Sequence, residues 1–274
     1  MGTIYNERLL VFSDIHGNLH ALKALLRRVE QLKVDRMVCL GDVVGYGADP
    51  DECFKILHEK NVPILMGNHE AMLFDAALSK ECSELGKQSA RWTSENTSTR
   101  TKELASSLNH SLIKGHIVLC HAAPCSKGWP YCNQKEHLWE TWKDMNGTIG
   151  IYGHTHRARL TVFESGRLVE DKYILKKSSI RLLIKPEQKI LINVGSVGQQ
   201  RDTKTDVGFA IIESDGKTDE MFVHFHRIKY NSLGAYIRTL QGCGRSIADY
   251  LVREKWRKRV YGILGNWWAG IRWP

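Results

Sequence analysis

The chain has 274 residues, of which 42% are hydrophobic and 25% charged, with 39 Lys and Arg against 30 Asp and Glu for a net charge of +9. These are the proportions of an ordinary folded globular protein, which excludes a fibrous or disordered chain and leaves room for one large domain or two small ones. The basic balance favours acidic partners such as phosphates or anionic surfaces, and it is concentrated at one end, since residues 245–274 hold seven basic and two acidic side chains.

The first half alternates between short apolar runs and helical patterns. RLLVFS (8–13) reads as a strand, and Asn18 to Leu32 carries Leu19, Leu22, Leu25, Leu26 and Val29 at helical spacing. RMVCL (36–40) is a second strand, PDECFKILHEK (50–60) a helix opened by proline, and VPILM (62–66) a third strand. This β-α-β-α-β order predicts parallel strands joined by crossover helices. Residues 79–111 are polar and Ser/Thr-rich and are read as a helical insertion beside the site. IVLC (117–120) and IGIY (149–152) are strands with a helix between them near Glu136 to Met145. From Leu160 the pattern turns strand-rich (LTVF, LVEDKYIL, IRLLI, KILINV, GFAIIE, MFVHFHRI), which predicts a second sheet packed on the first, and a final helical stretch begins near Ser232. There is no internal repeat or low-complexity linker, so residues 1–274 are expected to form a single domain.

The seven cysteines are odd in number and form no CxxC pair; Cys39 and Cys120 sit in apolar runs as small hydrophobes. The opening MGTIYNER lacks the apolar core of a secretory signal, and no run of eighteen or more apolar residues occurs. A cytoplasmic, reducing setting is therefore expected.

IGIYGHTH (149–156) ends an apolar strand in two histidines one residue apart, and alternate side chains of an extended chain point the same way. Alone, the pair reads equally well as two loop histidines making ordinary hydrogen bonds. The other apolar strands of the first half end similarly: Asp14-Ile-His16-Gly17-Asn18, Gly41-Asp42, Gly67-Asn68-His69-Glu70 and Cys120-His121. Singly, each is a turn, a helix cap or a core histidine; jointly they place polar ligands along the carboxyl edge of a parallel sheet, where open α/β sheets carry their sites. About seven ligands then surround a pair of metal ions. Imidazoles, carboxylates and one amide oxygen suit divalent ions such as Mn, Fe or Zn, and no thiolate is needed. One carboxylate must bridge the ions, because two cations about 3.5–4 Å apart need shared negative charge.

The blocks DIHGN (14–18), GDVVGYG (41–47), GNHE (67–70), His121 and GHTH (153–156), in that order, resemble the calcineurin-like metallophosphoesterases. The resemblance spans roughly residues 8 to 160. It implies an α/β fold, a four-layer α/β/β/α sandwich of two mixed sheets. It implies that Asp14, His16 and His156 bind a first ion, that Asp42 bridges, and that Asn68, His121 and His154 bind a second. Manganese is the first choice of metal, with Fe, Zn, Ni or Mg as alternatives. His69 is not a ligand; it approaches the leaving-group oxygen or a phosphoryl oxygen as the catalytic residue. A water shared by two cations loses much of its proton affinity, so hydroxide becomes available near neutral pH as nucleophile.

GDVVGYGADPDEC (41–53) and NVGSVGQQRD (193–202) resemble more closely a bacterial subgroup of small phosphodiesterase-like proteins related to diadenosine tetraphosphatases. That subgroup's later stretch reads N-P-G-S-V-G-Q-P-R-D, and here Val194 and Gln200 replace both prolines. Arg201 is either a phosphate clamp in substrate binding or a structural arginine bonded to loop carbonyls. His226 in FVHFHRI reads as a strand residue.

The expected activity is hydrolysis of phosphodiester or phosphoanhydride bonds in a small, nucleotide-like phosphorylated substrate. The alternative is a non-catalytic scaffold of the same fold that binds protein or nucleic-acid partners. Such relatives usually lose a ligand, whereas all eight positions are present. No obligatory protein partner is expected. The segment 253–274, with Trp256, Trp267, Trp268 and Trp273 beside Arg253, Lys255, Arg257, Lys258 and Arg259, is either a closing amphipathic helix or a surface for an anionic membrane or nucleic acid.

Overall fold

A computed structural model describes residues 7–124, 129–132, 135–202, 206–214 and 220–252; the tryptophan-rich segment 253–274 lies outside them. Two mixed sheets lie face to face with helices on their outer sides. The first has the order β2 (Arg36–Cys39), β1 (Glu7–Phe12), β10 (Val207–Ser214), β11 (Glu220–Ile228), β8 (Ser178–Leu183). The second runs β3 (Ser111–Lys114), β4 (Ile117–Cys120), β5 (Ile149–Tyr152), β9 (Gln188–Asn193), β6 (Arg159–Glu164), β7 (Arg167–Tyr173).

Period-two alternation builds the layers. In β1, Leu9 and Val11 face the second sheet, where they join Leu119, Ile149, Ile151, Ile190 and Ile192. Leu10 and Phe12 face outward onto α1 (Leu19–Val29) and α2 (Pro50–Glu59), against Leu22, Leu25, Phe54 and Leu57. On the opposite side, α6 (Lys135–Asp144) lays Leu138, Trp139 and Trp142 over Tyr152, Phe163 and Leu191. Both sheet faces are thus buried, so the central strands read as unbroken apolar runs.

Helix α1 begins where Asn18 Oδ1 accepts from the Ala21 N–H at 3.1 Å. It stops at Val29, short of the expected Leu32, because the chain tightens: Gln31 N donates to Arg28 O and Leu32 N to Val29 O, both three residues back. The 79–111 region is helical as expected, with a 3₁₀ segment (Ala76–Glu81), α4 (Glu84–Asn96) and α5 (Thr99–Ser106), and it ends in β3. The last described helices are α7 (Ser232–Cys243) and α8 (Arg245–Leu251).

Two expectations are corrected. Residues 62–66 form no regular strand; Ile64 and Leu65 make single parallel bridges to Cys39 and Asn109, and Pro63 has no N–H to extend a ladder. The strand-rich second half does not make a sheet of its own. β8, β10 and β11 join β1 and β2, while β6, β7 and β9 join β3, β4 and β5. Among the described residues no helix is long and apolar enough to cross a membrane.

Candidate metal centre

The ligand-bearing turns therefore come from both sheets rather than from one common edge. Asp14 and His16 follow β1, and Asp42 follows β2, which runs parallel to it. Asn68 and His69 open the short helix α3 (Asn68–Ala71). His121 follows β4 and His154 and His156 follow β5, again a parallel pair. Backbone bonds lace each group of turns internally, and the two groups meet where His154 N donates to Asp14 Oδ2 at 3.1 Å. His16 N donates to Asp42 O (2.9 Å), Gly17 N to Val43 O (2.7 Å) and Gly153 N to His121 O (2.8 Å). The 193–202 loop closes the gap between sheets, with Val197 N on Ser13 O and Gly198 N on Asp14 O.

Asp14, His16, Asp42, His154 and His156 all hold φ between 52° and 62°. A left-handed backbone at so many non-glycine positions costs energy and clusters where function demands it. The glycines beside them are needed for space. A Cβ on Gly67 would strike Asp42 Oδ1, and one on Gly153 would come within 2.6 Å of Asp14 Oδ2.

Two clusters of ligand atoms result: Asp14, His16, Asp42 and His156, and Asp42, His121 and His154, with the atoms of each within 4.8 Å of one another. Asp42 belongs to both. Its Oδ2 lies 3.7 Å from His16 Nε2 and 3.2 Å from His121 Nε2, while its Oδ1 accepts from His69 N at 2.9 Å. Asn68 Oδ1 stands 3.1 Å from His121 Nε2, and His154 Nδ1 stands 3.2 Å from the same atom. All seven expected ligands are brought together, and His69 sits against them with its ring 4.9 Å from that of His16.

The donor set fits divalent cations. His16 Nδ1 donates to Val44 O (3.1 Å), His156 Nδ1 to Gln199 O (2.5 Å) and His154 Nε2 to Trp129 O (3.1 Å). Each ring therefore turns its other nitrogen, with its lone pair, into the centre. His16 Nε2 and His156 Nε2 then face each other at 3.1 Å, an arrangement that a shared cation favours. Asp14 Oδ1 is fully buried, and no donor among the described residues is aligned with it. Burial drives His154 down to about 3, with His121 adding to the effect, and burial likewise lowers His16, His69 and His156. Burial opposes ionisation of Asp14 and Asp42, but the neighbouring histidines outweigh it and hold both carboxyls below the usual range. Burial also pulls His121 down, yet Asp42 and Asp14 prevail and raise it to about 9. His16, His154, His156 and both carboxylates are thereby in the forms that bind metal, and His121 must release a proton to join them.

Several supporting residues escaped sequence reasoning. Glu70 is buried and accepts four backbone N–H bonds, from Asp42 and Gly67 on Oε2 and from Val43 and Val44 on Oε1, at 2.8–3.0 Å. It fixes the loop that presents Asp42. Its place as the last residue of GNHE was a visible signal, but its role was not. Tyr46 packs edge-on to His16 at 4.9 Å, and Tyr131 stacks on His154 at 4.0 Å. Arg201 lies beside the centre, its backbone N donating to His156 O at 3.2 Å. Asn193 anchors the turn from behind, donating to Gly153 O. His226 is a strand residue stacked on Phe209, remote in role from the centre.

A two-sheet sandwich with acid, amide and imidazole ligands on facing loops defines a metallophosphoesterase-type protein. The sequence pattern described as the calcineurin-like phosphoesterase superfamily domain matches residues 8–217, and the chain belongs to that superfamily. It is 28% identical over 236 residues to an uncharacterized protein of Methanocaldococcus jannaschii, covering 83% of this chain and 90% of that one. Its fold is similar to a metallophosphoesterase from Sphaerobacter thermophilus, with a TM-score of 0.72 at 25% identity over 89% of this chain and 98% of the other. A hypothetical protein from Pyrococcus horikoshii OT3 shares the fold at a TM-score of 0.65 and 16% identity, over 90% of this chain and 98% of that one.

Proposed function

We propose that the chain is a dinuclear metal-dependent phosphoesterase that hydrolyses phosphodiester or phosphoanhydride bonds of a small, nucleotide-like substrate. The observation that carries this reading is the Asp42 carboxylate shared by two ligand clusters. Asp14, His16 and His156 would hold one divalent ion, Asn68, His121 and His154 the other, with Asp42 between them; manganese is the first choice. Ions at these positions supply Lewis-acid activation of water and neutralise charge developing at phosphorus.

The chain's own residues do the remaining work. The carbonyls of Val44, Gln199 and Trp129 keep three imidazoles in the tautomer that offers a lone pair to the centre. Asp42 Oδ1, by accepting from His69 N, places the His69 ring next to the centre without making it a ligand. Burial lowers the His69 pKa, so a proton placed on that ring is readily given up to a leaving oxygen. Arg201 contributes positive charge beside His156 that favours an anionic substrate.

The test is reconstitution with Mn²⁺ followed by elemental analysis and hydrolysis of bis(p-nitrophenyl) phosphate. Two ions per chain and metal-dependent turnover are expected. Asp42→Ala should lose at least one ion and nearly all turnover; unchanged metal content in that variant would sink the bridging role.

A further inference from the structure

His69 is held in place differently from the imidazoles around it. The carbonyls of Val44, Gln199 and Trp129 each fix one ligand ring by a hydrogen bond. Among the described residues the His69 ring makes no such bond, and only its backbone N is tied, to Asp42 Oδ1. A ring that is to meet a substrate oxygen keeps its nitrogens free, so packing must set its direction. Gly45, at φ 91°, lies flush against it, and a Cβ there would strike His69 Nδ1. The rings of His16 and Tyr46 close in at 4.9 Å, at 79° and 54° to the His69 plane.

His16 is itself fixed by the Val44 carbonyl, whereas Tyr46 takes its position from elements outside the ligand loops. Tyr46 N donates to Ser89 Oγ of α4 at 2.7 Å. Its buried ring packs in a cluster with Ala235 and Tyr236 of α7 and Ile247, Ala248 and Leu251 of α8. Tyr250 of α8 lies over that ring at 5.2 Å, and its carbonyl accepts from Gln199 Nε2 at 3.4 Å. The Tyr236 hydroxyl donates to Asp249 Oδ1 at 3.0 Å, which joins α7 to α8. Tyr46 also holds a left-handed backbone at φ 56°, a conformation that persists only where the surroundings enforce it. Both helices lie beyond residue 217, where the superfamily pattern ends.

We propose that Tyr46, braced by Tyr250, is the positioning residue that aims His69, and that α7 and α8 thereby complete the catalytic centre. The inference rests on the phosphoesterase reading and deepens it by giving the C-terminal helices a part in turnover. Loss of the Tyr46 ring frees the imidazole to turn, and misplacement of a reacting group by about 1 Å costs on the order of 10²-fold in rate.

Full-length protein loaded with Mn²⁺ is assayed on bis(p-nitrophenyl) phosphate. Tyr46→Ala should lower kcat by about tenfold to a hundredfold with KM and the bound ions unchanged, and Tyr46→Phe, which keeps the ring, should recover most of it. Tyr250→Ala should act in the same direction to a smaller extent, and it carries the test should Tyr46→Ala not fold. The deciding measurement is a double-variant cycle. Either tyrosine substitution added to His69→Ala should cost nothing further, because the tyrosines act only through the imidazole. A merely structural role would lower kcat by the same factor in both backgrounds, and that result overturns the proposal. So do wild-type kcat in both alanine variants, a loss of bound ions in either, or a Tyr46→Phe variant as slow as Tyr46→Ala. Full turnover in His69→Ala, or no metal-dependent hydrolysis by the wild type, overturns the reading of the site beneath it, a separate outcome.

Discussion

Glu70 commits both carboxylate oxygens to the backbone of residues 42–44 and 67, so the position of Asp42 depends on a side chain outside the two ligand clusters. Glu70→Gln keeps the shape but turns one acceptor into an amide that faces N–H groups. It should cost about 1–3 kcal/mol in urea unfolding and lower metal occupancy by elemental analysis; wild-type values for both would remove its positioning role. His69 carries the complementary prediction. His69→Ala should keep both ions but reduce kcat by about 10²- to 10⁴-fold, the usual span for acid–base or positioning roles. Full turnover in that variant would end its assignment. The candidate cluster was legible as a set because Asp, His and Asn follow apolar runs one after another. The partners of those ligands were not. Glu70, Tyr131 and the carbonyls of Val44, Trp129 and Gln199 act through proximity between residues far apart in sequence, with separations of 25 for His154 and Trp129 and 43 for His156 and Gln199, and no local pattern marks such pairs.

At the scale of elements, Asn18 joins two functions. Its Oδ1 caps α1, and its Nδ2 donates to Gly198 O at 2.9 Å, tying that helix to the loop behind Asp14. Asn18→Ala removes the cap and leaves a buried carbonyl unmet. A loss of about 1–2 kcal/mol in denaturant unfolding is expected, against a few tenths for a mere surface change. The short strands at 117–120 and 149–152 agree with the apolar runs read from the sequence to the residue, because both faces of those strands are covered. The run at 62–66 was equally apolar and yet pairs by single bridges only. Apolar character reports burial, and a ladder also needs a neighbour with free N–H and C=O groups. Assignment of the later strands to sheets was illegible for the same reason: Ile190 and Ile212 are both buried between the sheets, and nothing in either residue says which sheet its strand joins.

The whole molecule has a pH response set by its histidines. With metal chelated, His16, His69, His154 and His156 all titrate below a free imidazole, chiefly through burial. Below about pH 6.5 the unfolded chain takes up protons that these folded rings refuse, so stability falls as pH falls. Asp14 and Asp42, held low, add stability that is present above about pH 4 and lost as pH drops through their folded values. His121, raised to about 9, acts oppositely: its contribution is complete below about pH 6.5 and lost as pH rises through 9. Four rings outweigh one, so Tm of the chelator-treated protein should fall from pH 7 to pH 5 in a calorimetric scan. Added Mn²⁺ should raise Tm at pH 7 in a concentration-dependent way and do so less at pH 5, where protons compete for the same nitrogens. A Tm independent of both pH and Mn²⁺ would contradict the ligand set.

Strand β1 pairs with β10, so Glu7 waits for Ser214 and Val11 for Ala210. At ribosomal speeds of roughly 5–20 residues per second, the interval between those two stretches leaving the exit tunnel is about 10–40 s. Throughout it the nascent chain carries Leu9 and Val11 with only β2 beside them, an adhesive edge in a crowded cell. Production of this protein at high level should therefore depend on chaperone supply, and a stop codon placed before Val207 should yield inclusion bodies in place of a smaller folded protein.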